Sequence, residues 1–471
     1  MIYLEKEEGK PLYEQLYVRF VEDIMSGALK AGEKLPSTRM LAEELSVSRN
    51  TVDRAYQQLV AEGYVHAMAR SGFTVSSIPL DFNYGKKCDI RLGKDEEGIK
   101  TPQAHAPVKY DFSYGSMDNS VFPYRQWRKS LINVLGKMEA AGDIGYPDRL
   151  GEISLRREIS RYLKNARDVK CDPSQIVITS GQQHSMEMIA NIFEEGRKYF
   201  IMEEPGYDGI RKVFENHRYD IKPVPVEQDG IETGLLGHVN SSLLYVTPSH
   251  QFPTGAVTSI AKRRQLLQWA EDTDSYIIED DYDSELRYVT KPIPAMQALD
   301  VCDRTIYTGT FSKSLAPVMR TAYIVFPPGL MQRFMSYYQR YNSQVNTLHQ
   351  LTLADFIASG SYQRHISRLR NNYRKKLNIL MEAVDRVMGD KVKITGGDAG
   401  IHILMQVKSR FSIDQLLEKA EAEGIRLYDT RALYFRRGNC PANQLLLGFP
   451  TIPESAVEAI MEKLAEVWEL K

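Results

Sequence analysis

The hydrophobic positions of the chain change their period twice. From Pro11 onward, Leu12, Leu16, Val18, Phe20, Val21 and Ile24 recur at helical spacing, and Gly27 and Gly32 end the run. Ser37 is placed to cap a second helix over 38–45, with Leu41 and Leu45 facing inward. After a turn at Ser46 and Val47, Ser48 caps a third helix running to about Glu62, where Gly63 stops it. Val52, Ala55, Tyr56 and Leu59 form its apolar face. Tyr64–Val65 and Phe73–Val75, joined by the polar tip Ala69-Arg70-Ser71-Gly72, read as a hairpin. Helix, helix, turn, helix and hairpin make a winged helix-turn-helix over residues 1–76.

Residues 77–109 lose this periodicity. They hold Pro79, Pro102, Pro107 and the run Lys94-Asp95-Glu96-Glu97, the composition of an inter-domain linker. Residues 110–471 alternate short apolar runs with amphipathic stretches. The runs at 176–179, 199–202, 243–246, 276–279, 305–308 and 322–326 predict buried strands. Stretches such as 182–193 and 260–271 predict helices between them. That alternation predicts an α/β domain on a mostly parallel sheet, followed after Pro328 by a long helical stretch and an α+β tail.

Composition adds bounds. A length of 471 residues suggests about three domains, and 43% apolar with 26% charged residues is ordinary for a globular chain. No run approaches the roughly 18 apolar residues of a membrane span, and the acidic start MIYLEKEEGK is unlike a signal peptide. The expected location is the cytoplasm. Cys88, Cys171, Cys302 and Cys440 lie far apart, so no zinc or disulfide signature is present. The net charge of −1 by itself speaks against nucleic acid. Residues 1–76 are themselves acidic, with nine Lys and Arg against eleven Asp and Glu, but the charges are sorted. Acids crowd the N-terminus and first helix, whereas Arg39, Arg49, Arg54 and Arg70 lie on or near the second and third helices and the hairpin tip.

Ser48, Arg49, Asn50 and Thr51 begin the third helix, whose first residues would face base edges in a major groove. Arg49 can pair bidentately with guanine, and Asn50 can read adenine or a backbone oxygen. Arg39 is placed for a phosphate and Arg70 for the minor groove or a phosphate. Together with Leu35-Pro36-Ser37-Thr38-Arg39 and Glu62-Gly63-Tyr64, these residues resemble the GntR family of bacterial repressors. One departure is Asp53, where many members carry arginine.

The α/β block carries a second chemistry in Thr308-Gly309-Thr310-Phe311-Ser312-Lys313-Ser314, with Arg320 beyond. A lysine after a buried strand can form a Schiff base with pyridoxal phosphate. Thr310, Ser312 and Arg320 can hold its phosphate, aided by the helix start at Ser180-Gly181-Gln182. Ile277–Asp283 ends a strand in acids. Asp280, or else Asp281, can pair with the pyridine nitrogen, and Tyr282 is the candidate near the ring oxygen O3′. This order of segments resembles the fold-type I aminotransferases. The resemblance implies a large part over about 145–328 and a small part over about 329–471 plus 110–144. It also implies that Tyr207 stacks on the cofactor ring, that Tyr146 reaches a dimer mate's phosphate, and that Arg431 takes an effector carboxylate. In Pro248-Ser249-His250-Gln251-Phe252-Pro253-Thr254-Gly255 the usual asparagine before Pro-Thr-Gly is missing, with His250 or Gln251 as the candidate substitute.

A GntR-like reader joined to an aminotransferase-like domain resembles the MocR subfamily. The runs EDDYDSE, TPSHQFP and GTFSKS are similar to those of its γ-aminobutyrate-responsive member. The resemblance implies a homodimer on double-stranded DNA with two half-sites. It implies a regulator rather than an enzyme, with residual half-transamination allowed. In that reading a small amino compound displaces Lys313 to form an external aldimine. An active aminotransferase with an accessory N-terminal domain, and a sensor of pyridoxal phosphate itself, are the alternatives. Because the reader is acidic, phosphate neutralisation supplies little affinity. In a gel-shift titration, the isolated 1–76 segment is therefore expected to bind operator DNA far more weakly than the full chain. Equal affinity would contradict the requirement for paired readers.

Overall fold

The computed structural model describes residues 11–68, 72–78, 108–142, 145–193, 199–237, 240–289 and 293–470. Most of the expected linker and the hairpin-tip residue Arg70 lie outside the described residues. The chain divides into two compact units, Met1–Gln103 and Ala104–Lys471.

The first unit holds helices α1 (Leu12–Met25), α2 (Thr38–Glu44) and α3 (Arg49–Ala61), then strands β1 (Val65–Met68) and β2 (Gly72–Val75), paired antiparallel. The capping serines act as their spacing predicts. Ser37 Oγ accepts from Met40 N at 3.2 Å, and Ser48 Oγ from Thr51 N at 3.1 Å. Leu16, Phe20, Ile24, Leu41, Val52 and Leu59 close the core around fully buried Tyr56. That ring meets Phe20 and Phe73 edge-on, and its hydroxyl donates to Pro36 O at 3.0 Å. Val18, expected on the apolar face of α1, is instead exposed.

The second unit opens with β3 (Tyr110–Asp111), α4 (Tyr124–Ala141) and α5 (Ile153–Arg167). There follow β4 (Ile176–Thr179), α6 (Gln182–Ile192), β5 (Tyr199–Glu204), α7 (Asp208–Asn216), β6 (Asp220–Glu227), β7 (Gly230–Ile231) and β8 (Leu243–Val246). Next come α8 (Ile260–Asp272), β9 (Tyr276–Asp281), β10 (Thr305–Thr310) and β11 (Ala322–Val325). These strands form one sheet in the order β4-β11-β10-β9-β8-β5-β6-β7. The five central strands run parallel, while β11 and β7 are antiparallel to their neighbours. Of the parallel strands, β5, β8, β9 and β10 are buried almost throughout, which is why their apolar runs are short and dense, whereas β6 toward the edge is largely exposed.

The chain continues through α9 (Pro328–Tyr337), α10 (Thr347–Ala358) and the long α11 (Ser361–Met388). It ends with β12 (Val392–Thr395), β13 (His402–Val407), α12 (Ile413–Ala422), β14 (Ile425–Arg426), β15 (Tyr428–Asp429), β16 (Gln444–Gly448) and α13 (Val457–Val467). A second sheet, β12-β13-β16-β15, covers the later half of α11, and β14 pairs with β3. The small part is narrower than its expected extent of 329–471 plus 110–144. Leu330 and Phe334 of α9 join the core of the large sheet, as do Leu353 and Phe356 of α10 and, from α4, Trp127. Only the segment around Phe112 and Tyr114 packs with the small sheet. The apolar faces of these helices match the larger core, a pairing that periodicity alone does not specify.

Arg167, the last residue of α5, crosses beneath the sheet to the end of β9. Its Nε donates to Asp281 Oδ2 at 2.7 Å, with both side chains almost wholly buried. Arg167→Met leaves Asp281 buried without its counter-charge. It is expected to lower the unfolding free energy by about 3–5 kcal/mol in urea denaturation. Adding Asp281→Leu should recover part of that loss, because no uncompensated charge remains.

Candidate functional site

The C-terminal ends of β8, β9 and β10 open on a cavity of about 440 Å³, the end of a parallel sheet at which ligands bind. Eight residues expected at the site line it: Gln182, Tyr207, Asp280, Tyr282, Thr310, Ser312, Lys313 and Arg320. They come from five places in the sequence, and the sheet order brings them together.

Lys313 follows β10 in a turn, with its amine 3.9 Å from the centre of the Tyr114 ring. Burial disfavours the ammonium and lowers its pKa to about 8, against the opposing pull of Asp283. On the opposite wall, Asp280 Oδ2 accepts from the Tyr245 hydroxyl, while Oδ1 is buried with no partner among the described residues. Burial pushes this carboxyl up to about 7, and the Tyr245 bond opposes the shift. Asp281 points to the other face of the strand and is held by Arg167 and Tyr307, so of the two acids only Asp280 lines the cavity.

Gly181, with φ +111, caps α6. A Cβ there would lie 2.5 Å from Arg320 Nη2, so the guanidinium seats itself against bare backbone at the helix start. Arg320 takes a left-handed φ of +43 between its turn and β11. Thr310 and Ser312 hydroxyls lie 3.0 Å apart beside it. Ser180 does not line the cavity, because its N–H and hydroxyl both engage His184 Nδ1, at 3.1 and 2.9 Å.

Two other expectations are corrected by the tertiary contacts. Neither His250 nor Gln251 lines the cavity. The Gln251 amide is consumed by Pro205 O directly after β5 and, within its own loop, by Phe252 O and Thr254. Phe252, directly before Pro253-Thr254-Gly255, lines the cavity instead. Arg431 also lies off the cavity lining. Its Nη2 reaches Asp414 at 2.6 Å and Asp429 at 2.9 Å, two local acids that satisfy the guanidinium. Tyr146 is 91% exposed and lines a separate surface hollow with Asp148 and Arg157.

The walls also contain residues that the sequence reading missed: Tyr114, Gly115, Tyr245, Thr247 and Phe252. Gly115 has φ +101, and a Cβ there would come within 2.9 Å of Lys313 Nζ. An isolated Tyr-Gly in a segment without periodicity gave no signal, being about two hundred residues from Lys313. Thr247 and Phe252 flank the Pro248–Gln251 motif and were legible as its neighbours.

In the first unit, Arg49 and Asn50 stand exposed at the start of α3. Ser48 and Thr51 hydroxyls lie 2.8 Å apart and close the cap. Arg39 is exposed and forms a 3.1 Å pair with Glu43 one turn on. Asp53 accepts from Gln57 at 3.1 Å. Arg54 is drawn away over the Tyr13 ring of α1, 4.6 Å from its centre.

Comparison with known proteins agrees with both halves. Residues 12–75 match the bacterial regulatory proteins of the gntR family, and residues 110–464 match aminotransferase class I and II. The chain is 39% identical over 469 residues to the uncharacterized HTH-type transcriptional regulator YdeL of Bacillus subtilis, covering 99% of each chain. It is 32% identical to the probable rhizopine catabolism regulatory protein MocR of Rhizobium meliloti, covering 98% of this chain and 94% of that one. The crystal structure of Pyrococcus horikoshii kynurenine aminotransferase in complex with PMP superposes with a TM-score of 0.69 at 25% identity, covering 77% of this chain and 91% of that one. The chain therefore belongs to the MocR-type transcriptional regulators of the gntR family, in which a helix-turn-helix domain is joined to an aminotransferase class I and II domain.

Proposed function

We propose that this regulator holds pyridoxal phosphate in the large-unit cavity and changes its DNA binding when a small primary amine reaches Lys313. The observation that carries the reading is the meeting of three groups. The Lys313 amine, the unpartnered buried Oδ1 of Asp280, and Arg320 seated against Gly181 all border one cavity. They match the aldehyde, the ring nitrogen and the phosphate of the cofactor. When bound there, the cofactor supplies an aldehyde that condenses reversibly with primary amines.

Asp280 would accept a hydrogen bond from the protonated pyridine nitrogen and so keep it protonated. Arg320, Thr310, Ser312 and the start of α6 take the phosphate, with Gln182 on the same helix. Tyr207 and Tyr282 also line the cavity, where Tyr207 would cover a ring face and Tyr282 would donate to the ring oxygen. Arg431 is committed to Asp414 and Asp429, so selection of the effector rests on its amino group and on the walls formed by Tyr114 and Phe252. The exposed Tyr146 suits a second copy of the chain, consistent with a homodimer that reads two half-sites. On DNA, Arg49 and Asn50 read base edges. Ser48 and Thr51 begin the same helix, Arg39 takes a phosphate, and Arg70 takes a phosphate or the minor groove.

Two measurements test this reading. The full chain loaded with pyridoxal phosphate is expected to show a visible absorption band that Lys313→Ala lacks. Addition of amines should perturb the band and operator affinity together in the unmodified chain and neither in the variant. A Lys313→Ala protein that keeps the same band sinks the idea. Cofactor uptake by the empty protein needs the neutral amine, and burial lowers the Lys313 pKa. The uptake rate, followed by growth of the band, should rise with pH and level off above about 8. An exposed lysine would level off only above about 10.

A further inference from the structure

Behind Tyr282 lies a buried pair, His250 and Asp283, that the reading above does not use. His250 is buried beneath Tyr282 and Asp283, in the segment following β9. Its Nδ1 lies 2.8 Å from Asp283 Oδ2 and 3.0 Å from the Tyr282 hydroxyl. Its Nε2 is buried and has no hydrogen-bond partner among the described residues. The turn at Gly400 presses on the pair, since a Cβ there would lie 2.5 Å from His250 Cε1 and 2.6 Å from Asp283 Oδ2. The groups that face His250 are Tyr282 and Asp283 after β9 and His402 from β13. Lys313 acts on both Asp283 and His402 through its charge.

A count of protons decides what this cluster does. One nitrogen, Nδ1, has two neighbours. If it were a bare lone pair it would face the Asp283 carboxylate, lone pair against lone pair, and the proton on Nε2 would be a buried donor without an acceptor. Both arrangements are costly, and orphaned buried N–H groups are rare. The proton therefore sits on Nδ1 and is donated to Asp283. The Tyr282 oxygen can then only accept from that N–H, so its own proton is turned to the other side, where Tyr282 lines the cavity.

We propose that His250, anchored by Asp283, is a positioning residue that aims the Tyr282 hydroxyl proton into the cavity at the cofactor's ring oxygen. This rests on the pyridoxal phosphate reading above. It also gives a role to the histidine at a motif where Phe252 provides no polar group. A hydroxyl aimed at the ring oxygen favours its ionised, unshared form. The pH at which the visible band of the bound cofactor changes should therefore lie lower with the aim intact than without it.

The test is a pH titration of that band in the loaded full chain, with two amide substitutions that differ by one methylene. Asparagine places its amide nitrogen where Nδ1 sits, and glutamine reaches to the Nε2 position instead. His250→Gln is expected to raise the midpoint by about 1 pH unit. Tyr282→Phe should raise it as much, and the double variant no further than Tyr282→Phe alone. His250→Asn should keep the wild-type midpoint. If His250→Gln leaves the midpoint in place while Tyr282→Phe moves it, or if the two shifts add in full, the proposal is overturned. A wild-type protein with no visible band overturns the cofactor reading itself, an outcome distinct from an unmoved midpoint. A second measurement needs no variant. Nitrogen chemical shifts of ¹⁵N-labelled histidine should place the His250 proton on Nδ1, and a proton on Nε2 overturns the assignment.

Discussion

Asp280 and Asp281 follow one another at the buried end of β9, and a buried carboxylate without a counter-charge costs several kcal/mol. Strand geometry sends them to opposite faces of the sheet. Below, Asp281 is neutralised by Arg167 at the end of α5, with Tyr307 from β10 as a further donor. Above, Asp280 is held by Tyr245 with the Gln182 side chain beside it, and its Oδ1 is buried without a close partner among the described residues. One acid thus ties α5, β9 and β10 into a single block, and the other is left as a group that needs a protonated partner. The site is the part of this arrangement that the chain does not satisfy by itself.

The rest of the cavity follows from how closely backbone can approach that acid and Lys313. Gly181 lets Arg320 lie against the start of α6, and Gly115 lets the 113–116 segment pass beside the Lys313 amine. The second of these comes from the segment that packs with the small sheet, so the cavity is roofed by one part of the unit and floored by the other. Movement of one part against the other would alter the roof over Lys313. That is the physical basis for coupling occupancy to shape.

The first unit depends on nearer partners. Its caps are bonds between residues three apart, and its core closes on Tyr56 within a span of about sixty residues. Arg49 and Asn50 stand exposed at the start of α3, and Arg54 is withdrawn to Tyr13.

These differences in range explain what was legible. The sequence by itself determined the reader helices and their caps, the central strands and the turn carrying Lys313, because each is set by period, capping residue or immediate neighbours. It also named about half of the cavity lining, since the Lys313, Asp280 and Tyr207 motifs each sit at a strand end. Only the tertiary structure decided the rest. It separated Asp280 from Asp281 through Arg167, which lies more than a hundred residues away. It withdrew Arg431 to Asp414 and Asp429 and put Phe252 rather than His250 or Gln251 on the cavity wall. It also gave α4, α9 and α10 to the large core. In each case the choice was made by which charge or apolar face was within reach once the sheet had formed. A residue's own type and spacing do not encode that reach.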